Sequence, residues 1–271
     1  MAVNLRAVLS DRCNYKCVFC SHDFNRSEGL DMQAEFLEEC IRIFSSLGGR
    51  KVTFTGGEPL IYPELVRLLR LVKFLGMNSS ITTNGSMLHL QSEEFYNLAD
   101  ALNISIPSFE PEEYAALTRG IPLETVKNNA VNATELGLKV KINCVYTDDR
   151  ELMLNEMTEY FSPHGIIIKL MNDMLAGEDS YASFMEYASC FSEDSRIEIE
   201  CALNPSYIFC QDCRIPRKFS CPSCRSVWVY PDGRITLCPF DGTGSYLQSS
   251  NAEIYDRIKE LMSYAGQESN S

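Results

Sequence analysis

The sequence predicts an α/β protein whose parallel strands and intervening helices form a partial (β/α)6 barrel similar to a TIM barrel. The first observation behind this is a regular alternation, through residue 175, of short apolar segments with longer segments of helical periodicity. The second is a change of rhythm after residue 175, where cysteine and proline become frequent and helix-length periodicity is lost over residues 197–240. We therefore expect a barrel core over residues 1–175 and a small cysteine-rich C-terminal region over residues 176–271.

Six short segments have the apolar composition of buried strands. They cover residues 3–9, 51–55, 79–83, 102–106, 138–146 and 165–171. Because a helical segment separates each strand from the next, consecutive strands should be parallel and joined by right-handed crossovers.

Helices are predicted where apolar residues recur every three to four positions, and the three clearest stripes each end at a glycine. These stripes cover residues 36–47, 65–75 and 126–136. Further helices are expected at residues 150–161, 181–190 and 251–264. Residues 226–230 and 234–238 flank Pro231-Asp232-Gly233, which predicts a β-hairpin with an Asp-Gly turn.

Composition limits the classes of partner. A chain of 271 residues with 45% apolar residues can bury a large core. Its net charge of −13 repels phosphate backbones, so DNA or tRNA is not expected as a partner, although a local basic pocket could hold a small phosphorylated molecule. The N-terminus does not resemble a signal peptide, and no apolar run is long enough to cross a bilayer. We expect a soluble cytoplasmic protein with no membrane contact.

The twelve cysteines indicate metal binding rather than disulfides, because the chain shows no secretion signal. Eight of them fall in two groups, at positions 13–20 and 210–238. The other four, which we expect to be buried small hydrophobic residues, are Cys40, Cys144, Cys190 and Cys201.

The first group is Cys13, Cys17 and Cys20, which directly follow the first predicted strand. Three thiolates on one loop can bind three irons of a 4Fe-4S cluster and leave the fourth iron open. A structural zinc site needs four protein ligands. His22 could supply the fourth, so that alternative stays open.

This Cys-x3-Cys-x2-Cys loop, with Phe19 just before its third cysteine, resembles the signature of the radical S-adenosylmethionine (SAM) superfamily. The resemblance implies that the open iron binds the amino and carboxylate groups of SAM. One-electron reduction would then break the S–C5′ bond and give methionine and a 5′-deoxyadenosyl radical, which abstracts hydrogen from the substrate. It also implies an electron donor such as flavodoxin or ferredoxin.

A second motif, Thr55-Gly56-Gly57-Glu58-Pro59, ends the second predicted strand. Glycines permit close backbone approach, and a glutamate can accept hydrogen bonds from an ammonium group. By itself the motif would be a tight turn. It falls at the same edge of the sheet as the cysteine loop, however, and it resembles the superfamily's SAM amino-group motif.

Within the superfamily the chain resembles the GTP 3′,8-cyclases of molybdenum cofactor biosynthesis over residues 3–175 and 219–240. The resemblance implies SAM contacts for Phe19, Gly57, Ser105 and Met174. It implies nucleotide contacts for Arg6, Thr82 and Lys141. Taken without the resemblance, Arg6 and Lys141 would be surface salt bridges, Thr82 a helix cap and Met174 a core residue.

The second cysteine group resembles the auxiliary cluster of those cyclases and of SPASM and twitch domains. By this resemblance Cys221, Cys224 and Cys238 would hold a second 4Fe-4S cluster. Cys210 and Cys213 are additional, and three interpretations stay open. They could ligate the second cluster, form a zinc knuckle with Cys221 and Cys224, or be an incidental pair.

Three departures from the cyclases favour a reaction other than GTP cyclisation. The arginines that follow the cyclases' second cysteine pair are replaced here by Ser226, Val227 and Trp228. A strand-end arginine is replaced by Thr53. In place of the cyclases' catalytic Gly-Gly tail, this chain ends with residues 265–271, Ala-Gly-Gln-Glu-Ser-Asn-Ser.

Three functions remain as hypotheses. The first is a radical SAM enzyme acting on a nucleotide- or sugar-like small molecule, with Arg6 and Lys141, joined by Lys51 or Lys169, as an anion-binding patch above the barrel. The second is modification of a ribosomally made peptide, although the chain starts directly at the first strand without a leader-binding domain. The third is a non-catalytic iron–sulfur electron carrier or metal-binding protein. The Gly-Gly-Glu-Pro motif and Ser105 speak against the third, and no residue stands out as a general acid or base.

Overall fold

The computed structural model describes residues 3–20, 29–146, 151–171, 178–190, 194–200, 226–237 and 245–265. Within them nine strands form one sheet. The strands are β1 (Asn4–Val8), β2 (Lys51–Thr55), β3 (Asn78–Thr83), β4 (Ala101–Ser105), β5 (Lys139–Val145), β6 (Ile167–Met171), β7 (Ile197–Glu200), β8 (Ser226–Val229) and β9 (Ile235–Thr236).

The order of the strands is β7-β6-β5-β4-β3-β2-β1-β8-β9. All neighbouring pairs are parallel except β8 and β9, which are antiparallel. β1 to β7 follow one another in sequence order, each joining the same side of the sheet, which is the winding of a (β/α) barrel, and the outer strands β7 and β9 of the described sheet are not paired with each other. The predicted α/β partial barrel is therefore confirmed.

Eight helices of the described residues accompany the strands. They are α1 (Ala34–Ser46), α2 (Leu65–Phe74), α3 (Glu93–Leu98), α4 (Pro111–Thr118), α5 (Leu123–Glu135), α6 (Glu151–Phe161), α7 (Glu178–Ser189) and α8 (Asn251–Ala265). The six helices predicted from periodicity match α1, α2, α5, α6, α7 and α8. The two short helices, α3 and α4, were not predicted, because six to eight residues are too few for a stripe to repeat.

The two faces of the sheet differ in polarity. One face carries fully buried apolar residues, such as Leu5, Phe54 and Ile104, which pack into the hydrophobic core with the helices. The opposite face carries Arg6, Thr53 and Ser80 as consecutive register partners on β1, β2 and β3. A polar inner face is unusual for a barrel filled only by its own side chains, so this face is the place to look for a ligand.

The C-terminal hairpin is present and is part of the barrel sheet. Residues of β8 and β9 pair across the predicted turn, with Trp228 opposite Thr236. On its other side β8 pairs with β1 in parallel, so that Trp228 lies opposite Arg6. β7, which was not predicted, also lies beyond residue 175 and pairs with β6. The sheet is therefore continuous across residue 175.

The isolated cysteines behave as predicted at two positions and differently at a third. Cys40 and Cys144 are buried in the core. Cys190 is exposed, so its prediction as a buried residue is wrong; it follows the last turn of α7, where its thiol donates to the carbonyl oxygen of Glu186 at 3.8 Å. Cys201 lies outside the described residues. No helix in the described ranges is both long and apolar enough to span a membrane.

Candidate active site

Two loops meet at the C-terminal edge of the sheet, and we name them by their residues. The cluster loop is residues 10–20, which include the three cysteines, and the glycine loop is residues 55–59. The backbone N–H of Gly57 donates to the carbonyl oxygen of Ser10 at 2.7 Å, and that of Glu58 donates to the carbonyl oxygen of Arg12 at 2.8 Å. The glycine loop is therefore hydrogen-bonded to the residues of the cluster loop that precede Cys13.

The glycines of the glycine loop are required by this contact. A Cβ atom at Gly57 would overlap the carbonyl group of Arg12, and one at Gly56 would lie 2.7 Å from the carbonyl oxygen of Ser10. Gly56 also has a φ of +138°, which side chains disfavour. Close backbone approach was predicted here toward a ligand, and the structure shows it toward the cluster loop.

Glu58 joins the glycine loop to the end of β3. Its carboxylate accepts hydrogen bonds from the backbone N–H of Leu60 at 3.0 Å, the hydroxyl of Thr83 at 2.6 Å and the backbone N–H of Asn84 at 2.8 Å. Burial raises the pKa of this carboxyl group, while the three donors oppose the rise. A carboxylate has about four acceptor positions, so one remains for a ligand. Pro59, also buried, begins the short helix that Glu58 caps.

The three cysteines of the cluster loop differ in exposure. Cys13 and Cys17 are partly buried, and Cys20 is exposed. Burial raises the pKa of Cys13, and burial together with the negative charges of Cys13 and Cys20 raises the pKa of Cys17 to about 11. The Cys13 sulfur accepts from the backbone N–H of Tyr15 at 3.4 Å and from the side-chain amide of Asn84 at 3.9 Å. Thiols with raised pKa values, such as Cys13 and Cys17, are poor thiolates when no metal is bound, and a bound cation would favour their ionised form.

The described residues contain no group of three or more His, Cys, Asp or Glu side chains gathered closely enough for a single metal ion. A cubane cluster makes a different demand, because each thiolate binds a different iron. The loop thus fits a cluster better than it fits one zinc ion.

The loop after β3 completes this edge of the site. The side-chain amide of Asn84 donates to the Asn14 side-chain oxygen at 2.9 Å, and the Asn14 amide donates to the Ser86 hydroxyl at 2.8 Å. These contacts of Asn84 with the cluster loop were not predicted from the sequence.

Inside the barrel the structure brings together four basic residues, which we call the interior cations: Arg6, Lys51, Lys141 and Lys169. The pKa of Lys169 is lowered to about 8, chiefly by burial and also by the charges of Arg6, Lys141 and Lys51, while the carboxylate of Glu198 opposes the change. The pKa of Lys51 is also lowered, by burial and by Arg6 and Lys141. Such mutual effects indicate that the charges are close together. Arg6, Lys141 and Lys169 are partly buried, whereas Lys51, at the start of β2, is exposed.

Lys141 is paired with Glu198 of β7, an acidic residue that the sequence analysis did not single out. The predicted location of the basic patch was wrong in one respect. Arg6, Lys51, Lys141 and Lys169 lie on β1, β2, β5 and β6, inside the sheet, and not above the barrel. A strand prediction gives the order of residues along the chain but not their depth in a curved sheet, which explains the difference.

Asn143 is a second residue that the sequence analysis missed. It lies on β5 in register between Ser105 and Lys169. Its side-chain oxygen is the one buried side-chain nitrogen or oxygen of the described residues that has no hydrogen-bond partner. Buried polar atoms are nearly always paired, so this acceptor is suited to a donor from a ligand. Only its alternation with Lys141 on the inner face could have indicated it from sequence.

Comparison with known proteins agrees with the two motif loops. The profile of the Radical SAM superfamily matches residues 7–151, which contain the cluster loop, the glycine loop and Ser105. The chain belongs to the radical SAM superfamily.

Several relatives of this radical SAM chain are GTP 3′,8-cyclases. The probable GTP 3′,8-cyclase of Methanothermobacter thermautotrophicus is 29% identical over 260 residues, which cover 87% of this chain and 84% of the relative. The GTP 3′,8-cyclase of Aquifex aeolicus is 28% identical over an alignment of 288 positions, which covers 95% of this chain and 88% of the relative.

Solved structures of two other proteins share the fold. Streptococcus suis SuiB bound to S-adenosylmethionine matches with a TM-score of 0.71 at 18% identity, over 97% of this chain and 68% of SuiB. Methylornithine synthase (PylB) matches with a TM-score of 0.56 at 14% identity, over 97% of this chain and 82% of that protein. At such low identity these matches support the barrel and nothing more.

The remaining predicted site residues divide into two groups. Phe19 is half exposed on the cluster loop, and Ser105 and Thr82 lie on the inner face at the ends of β4 and β3. Thr82 is inside a strand, so the alternative of a helix cap is wrong. The predicted residues outside the described ranges are Met174, Cys221, Cys224, Cys238, Cys210, Cys213 and His22.

Proposed function

We propose that this chain is a radical SAM enzyme that uses SAM at a 4Fe-4S cluster to abstract hydrogen from a small anionic substrate. The observation that supports this most is the pairing of two features in one barrel. The cluster loop and glycine loop are bonded together at the C-terminal edge, and the interior cations lie below them on the same face. An electron carrier needs neither a SAM-binding loop nor a basic interior.

In this proposal Cys13, Cys17 and Cys20 hold the cluster. Gly56, Gly57, Glu58 and Pro59 form the wall against which the amino group of SAM lies, and Phe19, Ser105 and Met174 contact the rest of SAM. When bound, the cluster and SAM supply one-electron cleavage of the S–C5′ bond and a carbon radical that takes hydrogen from the substrate. This chain's residues orient the two reactants and exclude water. Asn143, beside Ser105, offers an unpaired oxygen to a hydroxyl or ammonium donor.

The interior cations define where the substrate lies. Lys51 is the first residue of β2, and Thr55 ends that strand at the glycine loop. Each residue of a strand advances by about 3.3 Å, so the Cα of Lys51 lies roughly 13 Å from the Cα of Thr55, at the edge where SAM would bind. A substrate that reaches both ends must carry its acidic group at one end and the reactive C–H bond at the other. Arg6, Thr82 and Lys141 are the residues we propose to contact it.

A substrate other than GTP is favoured by the residues near Arg6. Thr53, at the position of a cyclase arginine, is buried and exchanges hydrogen bonds with Asn4 at 3.0 and 3.3 Å. The Arg6 guanidinium lies 5.3 Å from the centroid of the Trp228 ring and donates to the Ser226 hydroxyl at 3.3 Å. Trp228 and Ser226, at two positions that could have carried phosphate-binding cations, therefore present an aromatic ring and a hydroxyl beside Arg6.

The test is SAM cleavage by the reconstituted, reduced full-length protein, read as 5′-deoxyadenosine formed per chain. We expect cleavage by the wild type and by Cys190→Ala, in which an exposed cysteine outside the cluster loop is removed. Cys17→Ala should give no product, because one iron loses its ligand. The absence of 5′-deoxyadenosine from wild type, or its formation by Cys17→Ala, would refute the proposal.

A further inference from the structure

The cluster loop has an attachment outside the superfamily's two motifs, at the end of α4. The backbone N–H of Lys16 donates to the carbonyl oxygen of Thr118 at 3.3 Å, and that of Val18 donates to the carbonyl oxygen of Leu117 at 2.9 Å. These two residues flank Cys17. The backbone on both sides of the middle cysteine is therefore bonded to one helix end.

The way α4 ends makes those two carbonyl groups available. The last carbonyls of a helix have no partner within the helix. Arg119, next in the chain, has a φ of +51° and turns the chain sharply away. The Thr118 hydroxyl fixes this turn, because it donates to the Tyr114 carbonyl oxygen at 2.8 Å and accepts from the Gly120 N–H at 3.3 Å. The cluster loop thus satisfies acceptors that the helix leaves unpaired.

Tyr15 forms the side-chain part of the same attachment. Its ring is 5% exposed, and its hydroxyl lies 3.3 Å from the hydroxyl of Tyr114, which is fully buried. The flat face of the ring packs on Gly120 so closely that a Cβ there would overlap three ring atoms. A glycine is needed at this position for steric reasons alone, because its φ is not positive.

We infer that the end of α4, residues 114–120, is a positioning element for the cluster ligands. It holds residues 15–18 in place and thereby sets the separation of Cys13, Cys17 and Cys20 before a cluster is bound. The inference rests on the proposed cluster at these three cysteines. The element begins at Tyr114, nine residues beyond Ser105 at the end of β4, in a segment that neither motif includes. The inference therefore assigns a role to Tyr15, Tyr114 and Gly120.

A purely structural role predicts a different outcome, and two glycines allow the comparison. Gly49 precedes β2 at the opposite edge of the sheet, its φ is also not positive, and a Cβ there would overlap the ring of Phe44. Gly49→Ala and Gly120→Ala therefore introduce the same steric conflict with an aromatic ring. Only the second displaces a residue of the cluster loop.

The first experiment measures iron per chain after reconstitution and the electron paramagnetic resonance spectrum of the reduced protein with and without SAM. The iron lost in Cys17→Ala defines the part bound by the cluster loop. We expect Gly120→Ala to lose most of that iron, and the iron that remains to show no spectral change when SAM is added. Gly49→Ala should keep the iron and the change, with a similar drop in melting temperature. Equal iron and equal spectra in the two variants would overturn the inference.

A milder pair of variants covers the case in which Gly120→Ala does not fold. Tyr114→Phe removes the hydroxyl that hydrogen-bonds to the Tyr15 hydroxyl. The control, Tyr96→Phe, removes a hydroxyl on α3 that donates to the Leu88 carbonyl oxygen at 2.7 Å. We expect Tyr114→Phe to release iron to a chelator about fivefold faster than wild type, the size of one lost hydrogen bond, and Tyr96→Phe to release it at the wild-type rate. Equal release rates would refute the positioning role.

These results separate the inference from the proposed function. If Cys17→Ala loses no iron relative to wild type, the proposed cluster site itself is wrong. If Cys17→Ala loses iron but Gly120→Ala and Tyr114→Phe behave as their controls do, the cluster site stands and only the role of α4 is wrong.

Discussion

Gly57 is the residue at which the two loops of the candidate site touch. Its missing side chain leaves space for the carbonyl group of Arg12, which is backbone and cannot rotate away as a flexible side chain could. We expect Gly57→Ala to separate the loops, to lower the free energy of unfolding by about 1–3 kcal/mol and to abolish SAM cleavage. Urea unfolding and 5′-deoxyadenosine yield are the two measurements.

Gly76→Ala is the control for the Gly57 variant. Gly76 ends α2 with a φ of +67°, and a Cβ there would have no neighbour within 4 Å. This change should lower stability by roughly 1–2 kcal/mol through backbone strain and leave SAM cleavage intact. If Gly57→Ala also retained full cleavage, the loop contact would have no part in the reaction.

Lys169 gives the interior cations a pH dependence near neutrality. Burial lowers its pKa to about 8, so the ammonium carries its charge below pH 8 and loses it above. A bound anion favours the charged form, so the affinity for anions should fall as pH rises through this value. Sulfate is a suitable probe because its own charge is constant in this range. We expect sulfate binding by the apoprotein, measured calorimetrically, to weaken about tenfold between pH 7 and pH 9.

Two variants test the assignment of that pH dependence to Lys169. Lys169→Met should bind sulfate weakly at both pH values, with no change through pH 8. Lys259→Met, which removes a lysine beside Tyr255 on α8, should behave as the wild type does. A wild-type pH dependence in Lys169→Met would assign the titration to a different group.

At the level of elements, most of the barrel could be predicted from the sequence, because each of its longer strands and helices has a local pattern of apolar residues. The six core strands and six longer helices follow from periodicity and glycine stops. β7 was missed because Ile197-Glu198-Ile199-Glu200 is four residues long, and its role is decided by pairing with β6. Its Glu198 then became the unpredicted partner of Lys141.

At the candidate site, too, only features with a local sequence pattern could be predicted. Spacing indicated the cluster loop and the glycine loop, since ligands and glycines recur at short intervals in the chain. Asn143 and the end of α4 reach the site through register and loop packing, which join residues far apart in sequence. Such contacts depend on the completed fold and leave no local pattern.

The hairpin of β8 and β9 is the element that connects the C-terminal region to the substrate side of the barrel. Gly233, in its turn, has a φ of +83°, and a Cβ there would lie 2.5 Å from the Leu247 side chain and 2.9 Å from the Leu247 backbone nitrogen. We expect Gly233→Ala to cost more than the roughly 1–2 kcal/mol of backbone strain alone, because overlap is added to it. Urea unfolding measures the total.

Gly137→Ala is the control, because its loss of stability measures backbone strain alone. Gly137 has a φ of +93°, and an added Cβ would have no neighbour within 4 Å. The protein has a single tryptophan, Trp228, so its fluorescence reports on β8 directly. Gly233→Ala should change the emission of Trp228, which lies against Arg6, and Gly137→Ala should not. Equal stability and equal emission in the two variants would show that the turn does not hold β8 against β1.

For the molecule as a whole, the distribution of charge is more informative than its sum. The net charge is −13, yet the inner face of the barrel gathers four basic residues, Arg6, Lys51, Lys141 and Lys169, with the carboxylate of Glu198 among them. An acidic exterior disfavours polyanions at the surface, while a basic interior accepts an anion small enough to enter. This arrangement is why a small anionic substrate is proposed and a nucleic acid is not.

The number of clusters is the remaining prediction at this scale. The sequence places three cysteines on the cluster loop and predicts Cys221, Cys224 and Cys238 as ligands of a second cluster. We expect about eight irons per chain in the reconstituted wild type and about four in Cys238→Ser, because two cubane clusters become one. Cys17→Ala should also retain about four irons, but it should lose SAM cleavage.

The comparison of these two variants decides between the interpretations of the second cysteine group. If wild type and Cys238→Ser both bind about four irons, the second group holds zinc or no metal, and metal analysis for zinc distinguishes those outcomes. Cys190→Ala again serves as the control, since an exposed cysteine that follows α7 should change neither count. About four irons in each variant, with SAM cleavage lost in Cys17→Ala and retained in Cys238→Ser, would establish that each group binds its own cluster and that SAM is cleaved at the cluster loop.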